Sequence, residues 1–208
     1  MAKTEKLFST LLYRAEMAPG AQSRRLNREL LEASLFTAEA DGAGQRWSAE
    51  NGYPGYTSYA SLNDLPWRYP CFADLTNHLE KHAGQFARKL EWDLGDRPLT
   101  LDSLWINVLP PGGYHASHIH PLSVISGTYY VEVPKGAASL KIEDPRSGRM
   151  MAAPPRKKNS RRDNQPFIYA TPKPGTILMW ESWLRHEVPM NAGKSERISI
   201  SFNFRWGE

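Results

Sequence analysis

The chain has almost no cysteine. Cys71 stands alone among 208 residues, so no disulfide can form within the chain, and the small stapled folds of secreted domains are excluded. Long apolar runs are missing as well: no stretch approaches the roughly 18 consecutive apolar residues that a membrane-spanning helix needs. The opening segment, MAKTEKLFSTLLYRAEMAPG, lacks the continuous apolar core of a secretory signal. These absences predict a cytoplasmic protein in reducing surroundings. Short catalytic signatures are equally scarce. There is no G-x-S-x-G elbow for a serine nucleophile, and Cys71 has no reactive neighbourhood. His78 and His82 sit four apart, but HLEKH is not H-E-x-x-H, and the general-base glutamate of that motif is absent. No internal repeat or long low-complexity linker interrupts the chain.

What is present suits one domain with a sizeable core. Apolar residues make up 40% and charged residues 23%, ordinary values for a globular protein. Seven tryptophans and nine tyrosines are many for this length, and serve either core packing or pocket lining. The net charge of +4 is local: residues 144–163 hold seven Arg/Lys against two Asp, a net of +5, which leaves the remainder near −1. This basic segment reads as a solvated loop, as a surface for nucleic-acid phosphates, or as a lid that steers an anionic substrate.

The first hundred residues are mixed in texture. Leu26, Leu30 and Leu31 share one face of a helix predicted over residues 22–35, with Ser23 near its cap. Residues 52–70 are turn-rich and aromatic and read as an ordered loop. A second helix is predicted after Pro70, with Phe72, Leu75, Leu79, His82, Phe86 and Leu90 at helical spacing. From about residue 99 the pattern changes. LTLDSLWINVLP, SVISGTYYVEVP, ASLKIED, FIYATP, GTILMW and RISISFNFRW are short, β-branched and aromatic, and most are bounded by Gly or Pro. Such a series predicts a β-sandwich, a barrel or a jelly roll. The expected architecture is α+β, mainly β, with a helical or mixed layer over residues 1–100 packed on a β-domain over residues 101–208 as one compact unit.

Three of the six histidines fall within six residues, at His115, His118 and His120. In an extended segment residues i and i+2 share a face, so His118 and His120 can converge on one point, and Pro121 favours an extended His120. His115, three before His118, falls on the opposite face of a regular strand and is the weaker alternative. A third imidazole is available from His186, 66 residues beyond His120. Three imidazoles suit iron, zinc, copper or nickel, and a three-ligand site keeps positions open for chemistry. The last strand alternates strictly. Arg197, Ser199, Ser201 and Asn203 take one face, and Ile198, Ile200, Phe202 and Phe204 the other. The apolar face must pack on something dry, while Arg197 beside Ser199 offers a fork for a carboxylate; a plain solvent-facing strand is the ordinary alternative.

Together these motifs resemble the iron(II)- and 2-oxoglutarate-dependent oxygenases, which carry His-x-Asp/Glu, a distal His and, about ten residues later, an Arg, often in Arg-x-Ser. Here stand His118-x-His120, His186 and Arg197-x-Ser199. HIHPLSVISGTYYVEVP, DPR, PGTILMWESWLRHEVPMN and ERISISFNFRW are similar to a bacterial and phage branch of that superfamily. The resemblance spans about residues 101–206. It implies a double-stranded β-helix, the jelly roll of cupin type, with the N-terminal helices packed on it. It further implies Fe(II) on His118, His120 and His186, and 2-oxoglutarate with its far carboxylate on Arg197, helped by Ser199. O2 would then oxidise a C–H bond of a substrate the sequence does not identify, with succinate and CO2 formed. Asn107 and Tyr129 are expected on the cofactor side of the pocket, Trp105 and Tyr114 on the substrate side. One departure matters: His120 stands where most of the superfamily has a carboxylate, so the site keeps the full +2 charge of the metal. That leaves two alternatives, a three-histidine dioxygenase of cupin type without 2-oxoglutarate, and a non-enzymatic module that binds through the basic segment.

Overall fold

The computed structural model describes residues 1–207. The helical spacings of the first hundred residues produce two long helices. α1 (Ala21–Ala40) turns Leu26 and Leu30 inward, and α4 (Pro70–Lys89) buries Phe72, Leu75, Leu79 and Phe86. Pro70 opens α4 where a missing N–H has no helical partner to lose. Between them lie α2 (Gly42–Glu50), β2 (Tyr56–Thr57) and the single turn α3 (Leu65–Arg68), so the aromatic segment contains more than a loop. Asp41 organises this region. Its carboxylate accepts the Gly44 N–H that caps α2, the Tyr56 hydroxyl at 2.9 Å and the Ser61 hydroxyl at 2.5 Å.

The β-rich half alternates between two sheets. β3 (Leu99–Leu109), β5 (Ile125–Glu132), β8 (Thr176–Glu181) and β10 (Arg197–Trp206) form the centre of a six-stranded sheet. Its edges are β1 (Tyr13–Glu16) on β8 and β2 on β3, both from the N-terminal region. The four-stranded sheet takes β4 (His115–His118), β9 (His186–Val188), β6 (Leu140–Glu143) and β7 (Phe167–Ala170), in that order. All pairings are antiparallel. This interleaving is the double-stranded β-helix.

The large sheet has two different faces. On one, Ile125, Tyr129, Ile177, Met179, Ile198, Ile200, Phe202 and Phe204 pack with the α1 and α4 side chains in a single core, so the N-terminal region and the β-domain share their apolar interior. On the other, Tyr130, Leu178 and Trp180 meet Leu140, Ile142 and Ala170 of the small sheet. Between the sheets a cavity remains, lined by residues of both, among them Asn107, Thr128, Leu140 and Val188. β10 runs through the centre, paired to β3 and β5, with irregularities at Ile198/Ser199 and at Asn203/Phe204. Close packing demands glycine at position 127 on β5: a Cβ there would meet the Phe202 ring at 2.3 Å and the Leu178 carbonyl at 2.6 Å.

Candidate active site

Two short neighbouring strands bring the histidines together. β4 pairs with β9 so that His118 lies directly across from His186, and a backbone bond from His120 N–H to the Ser182 carbonyl (3.0 Å) holds the next turn beside them. His118 Nε2 and His120 Nε2 are 3.2 Å apart. One nitrogen of each of His118, His120 and His186 falls within 4.8 Å of the others, a spread one metal ion can span. The opposite edges of the rings show which nitrogens are free. His118 Nδ1 is 2.7 Å from the Ala116 carbonyl, and His186 Nδ1 is 2.8 Å from the Leu184 carbonyl. A carbonyl can only accept, so both Nδ1 atoms carry the proton and both Nε2 atoms present lone pairs. Lone pairs that face one another without a shared proton repel, and a cation between them removes that repulsion. The donor set therefore fits a borderline metal ion.

The electrostatics favour the same state. Burial pushes His120 down to about 4, with repulsion from His118 adding to it, and pushes His115 down to about 3. Burial also lowers His118, and holds His186 well below its ordinary value. Neutral imidazoles are what a metal requires.

A cation lines the same cavity. Arg197 is 2% exposed, and no carboxylate among the described residues pairs with it. Its Nη1 donates to Ser199 Oγ at 3.2 Å, its guanidinium carbon lies 4.9 Å from the centre of the Tyr130 ring, and its Nε has no partner. A buried guanidinium with spare donors calls for an anion. Trp180, in edge contact with His186, adds a second buried donor without a partner at Nε1.

Residues 103–203 match the family model described as "Putative 2OG-Fe(II) oxygenase". This region belongs to the 2OG-Fe(II) oxygenase family. No curated protein matches the chain. Solved structures agree in fold. A prolyl-4-hydroxylase of Pseudomonas putida is 14% identical over 95% of this chain and 93% of its own, with a TM-score of 0.56. HygX of Streptomyces hygroscopicus, solved with nickel, 2-oxoglutarate and hygromycin B, is 15% identical over 94% of this chain and 83% of its own, with a TM-score of 0.60. A 2OG-Fe(II) oxygenase family member of Burkholderia pseudomallei aligns at 14% identity over 53% of this chain, with a TM-score of 0.41, and there the chain spans only 47% of the relative's length.

In this oxygenase region the structure gathers most of the residues that the sequence singles out. His118, His120, His186, Arg197, Ser199, Asn107 and Trp105 all line the cavity. Trp105 stacks on His120 with ring centres 5.8 Å apart, and Asn107 donates to Ser201 Oγ at 3.0 Å. Tyr129 does not belong there. It faces the helical layer, where its hydroxyl donates to Asn27 Oδ1 at 2.8 Å, and its neighbour Tyr130 lies under Arg197 instead. Tyr114 is 46% exposed and outside the cavity lining. His115 also departs from expectation. The pairing of β4 with β9 is irregular between His115 and His118, and this irregularity brings both rings to one face, stacked with centres 4.2 Å apart. Tyr53, from the aromatic segment before β2, closes against His115 at 5.3 Å. Its approach depends on chain folding over 60 residues and leaves no local signal. The basic stretch of residues 144–163 links β6 to β7 as two 3-10 turns and exposed chain.

Proposed function

We propose that the chain is a non-haem Fe(II)- and 2-oxoglutarate-dependent dioxygenase, with the metal on His118, His120 and His186 and the distal carboxylate of 2-oxoglutarate on Arg197. One observation carries this reading: a single cavity is lined both by three imidazoles within reach of one metal ion and by a buried guanidinium that no carboxylate among the described residues pairs. HygX, which shares the fold, is solved with nickel and 2-oxoglutarate, and this supports the cofactor assignment.

When bound, iron with 2-oxoglutarate supplies O2-dependent oxidation of a substrate C–H bond, with succinate and CO2 formed. The chain's own residues prepare for it. The carbonyls of Ala116 and Leu184 keep protons on Nδ1 of His118 and His186, which leaves Nε2 of each open to the metal. Arg197 and Ser199 orient a dicarboxylate, and Tyr130 supports the guanidinium from below. Trp105 and Trp180 wall the metal end and exclude water. With three neutral ligands, the metal's +2 charge is balanced by the co-substrate dianion alone, so metal and 2-oxoglutarate should bind with mutual reinforcement. A reducing cytoplasm would keep both the iron and the free thiol of buried Cys71 reduced.

The test is anaerobic addition of Fe(II) to metal-free protein, followed by titration of 2-oxoglutarate. A saturable visible charge-transfer band, weakened in Arg197→Ala, is expected. Metal binding without the band would favour the three-histidine reading, which the all-imidazole donor set keeps open. Absence of metal binding would overturn the assignment.

A further inference from the structure

The cavity holds a second hydrogen-bond donor that the chain leaves unused. Trp180, on β8, is 2% exposed and lines the cavity, and its Nε1 is buried without a partner. An indole N–H can only donate, so it needs an acceptor. The polar groups around its strand are engaged with one another. Ser126, directly across from Trp180 on β5, bonds through Oγ to Asn203 Oδ1 and to Ser182 Oγ, both at 2.8 Å. His186, in edge contact with the indole at 4.6 Å between ring centres, turns its Nδ1 to the Leu184 carbonyl. No Asp or Glu among the described residues lines the cavity. A buried donor without an acceptor costs free energy in the ligand-free protein, and a ligand that brings the acceptor recovers it.

The sheet register separates this donor from Arg197. Trp180 shares a row with Ser126 and, through it, with Asn203 of β10. Asn203 is six residues from Arg197, about 20 Å along the strand. The indole stands instead with the histidines. It touches His186, and it lies two residues before Ser182, whose carbonyl accepts the His120 N–H at 3.0 Å. A dicarboxylate with one end on Arg197 and Ser199 turns its other end toward this group. In 2-oxoglutarate that other end is the 2-oxo acid, and each of its oxygens is an acceptor.

We propose that Trp180 is a co-substrate-binding residue, whose Nε1–H donates to an oxygen of the 2-oxo acid end of 2-oxoglutarate and orients that end beside His186. The inference rests on the co-substrate reading above and adds to it a residue that acts through its N–H rather than its ring. Phenylalanine keeps an aromatic edge beside His186 and lacks the donor, so Trp180→Phe isolates that N–H.

The first readout is the indole signal itself. In ¹H–¹⁵N correlation spectra of the ¹⁵N-labelled, Zn(II)-loaded protein, each of the seven tryptophans gives one indole signal. That of Trp180 is assigned by through-bond connection to its backbone and by its loss in Trp180→Phe. On addition of 2-oxoglutarate the Trp180 proton should move downfield and exchange more slowly with water. Oxalate, which offers neighbouring oxygens without a distal carboxylate, should move it as well. Binding of each is followed in parallel by calorimetry. The second readout is a split of affinities. Trp180→Phe should raise the Kd of 2-oxoglutarate about 10- to 100-fold. It should leave Co(II) affinity, read from the visible d–d bands, at the wild-type value. If 2-oxoglutarate binds while the Trp180 signal stays in place, or if Trp180→Phe binds it as tightly as the wild type, the proposal fails and the co-substrate reading stands. Oxalate that binds without moving the signal would overturn the assignment to the 2-oxo acid end. A protein that binds Zn(II) but not 2-oxoglutarate would sink the co-substrate reading and this inference together. The wild-type spectra decide the question even if Trp180→Phe folds poorly.

Discussion

Replacing Arg197 by methionine should make the ligand-free protein more stable and, at the same time, insensitive to 2-oxoglutarate. In the ligand-free state the guanidinium is 2% exposed, with one hydroxyl partner at 3.2 Å, one aromatic face at 4.9 Å and an unpartnered Nε. Burying an ion costs several kcal/mol after relaxation. The hydrogen bond to Ser199 returns about 1.5–3 kcal/mol and the Tyr130 face about 2 kcal/mol at most. The deficit is about 2 kcal/mol, inside the range of about 1–4 kcal/mol gained when buried charges are replaced by apolar groups of similar volume. For a chain of this size that corresponds to a rise of roughly 4–8 °C in melting temperature. A co-substrate at a hundred times its Kd adds about 2.7 kcal/mol to the wild type and close to nothing to the variant. Melting curves with and without 2-oxoglutarate and Mn(II) should therefore cross. An Arg197→Met protein that melts several degrees below the wild type without ligand, or that keeps the ligand-induced shift, would refute the reasoning.

Other consequences can be checked separately. His186→Ala should abolish tight Fe(II) or Co(II) binding in equilibrium dialysis while leaving the far-UV circular dichroism of the metal-free protein unchanged. The metal-free protein should lose stability as pH falls through about 6.5, because the unfolded chain takes up protons there that the buried imidazoles refuse until about 4 at His120 and about 3 at His115. Between pH 7 and 5, where carboxylates barely titrate, His115→Gln should flatten the slope of melting temperature against pH, and an unaltered slope would show that His115 is not held neutral by the fold. Gly127→Ala should cost about 1–3 kcal/mol in urea unfolding, since its methyl meets the Phe202 ring and the Leu178 carbonyl. Tyr129→Phe should lower stability by about 0.5–1.5 kcal/mol through loss of the Asn27 bond, yet leave 2-oxoglutarate affinity at the wild-type value; a large change in affinity would return Tyr129 to the pocket.

The periodic parts of this molecule were readable in advance. α4 shows its buried face at every third or fourth residue, and β10 separates Arg197 and Ser199 from Ile198 and Ile200 by strict alternation, so their elements and facing follow from spacing alone. His118, His120 and His186 were legible because chemistry-bearing residues of one type are rare and the i, i+2 rule is local. Failure came where regularity breaks. Counting by twos places His115 away from His118, but the irregular pairing of β4 with β9 restores it to the same side. Tyr129 and Tyr130 differ by one position, and which of them looks inward is decided by the register of β5 on β10, itself shifted at Ile198/Ser199. Tyr53 reaches His115 only through the path of the whole N-terminal segment.

The two-faced character of β10 bears on how faithfully the protein folds. A slip of one position against β3 or β5 would turn every residue of the strand over, driving Arg197, Ser199, Ser201 and Asn203 into the helix-facing core and lifting Ile198, Ile200, Phe202 and Phe204 into the cavity. Each such error forfeits apolar burial and strands a cation in hydrocarbon, so misregistered chains are penalised on both sides of the same strand. A molecule that succeeds in closing its core has thereby aligned its binding groups, and a stably folded population with a scrambled cavity is not an available outcome.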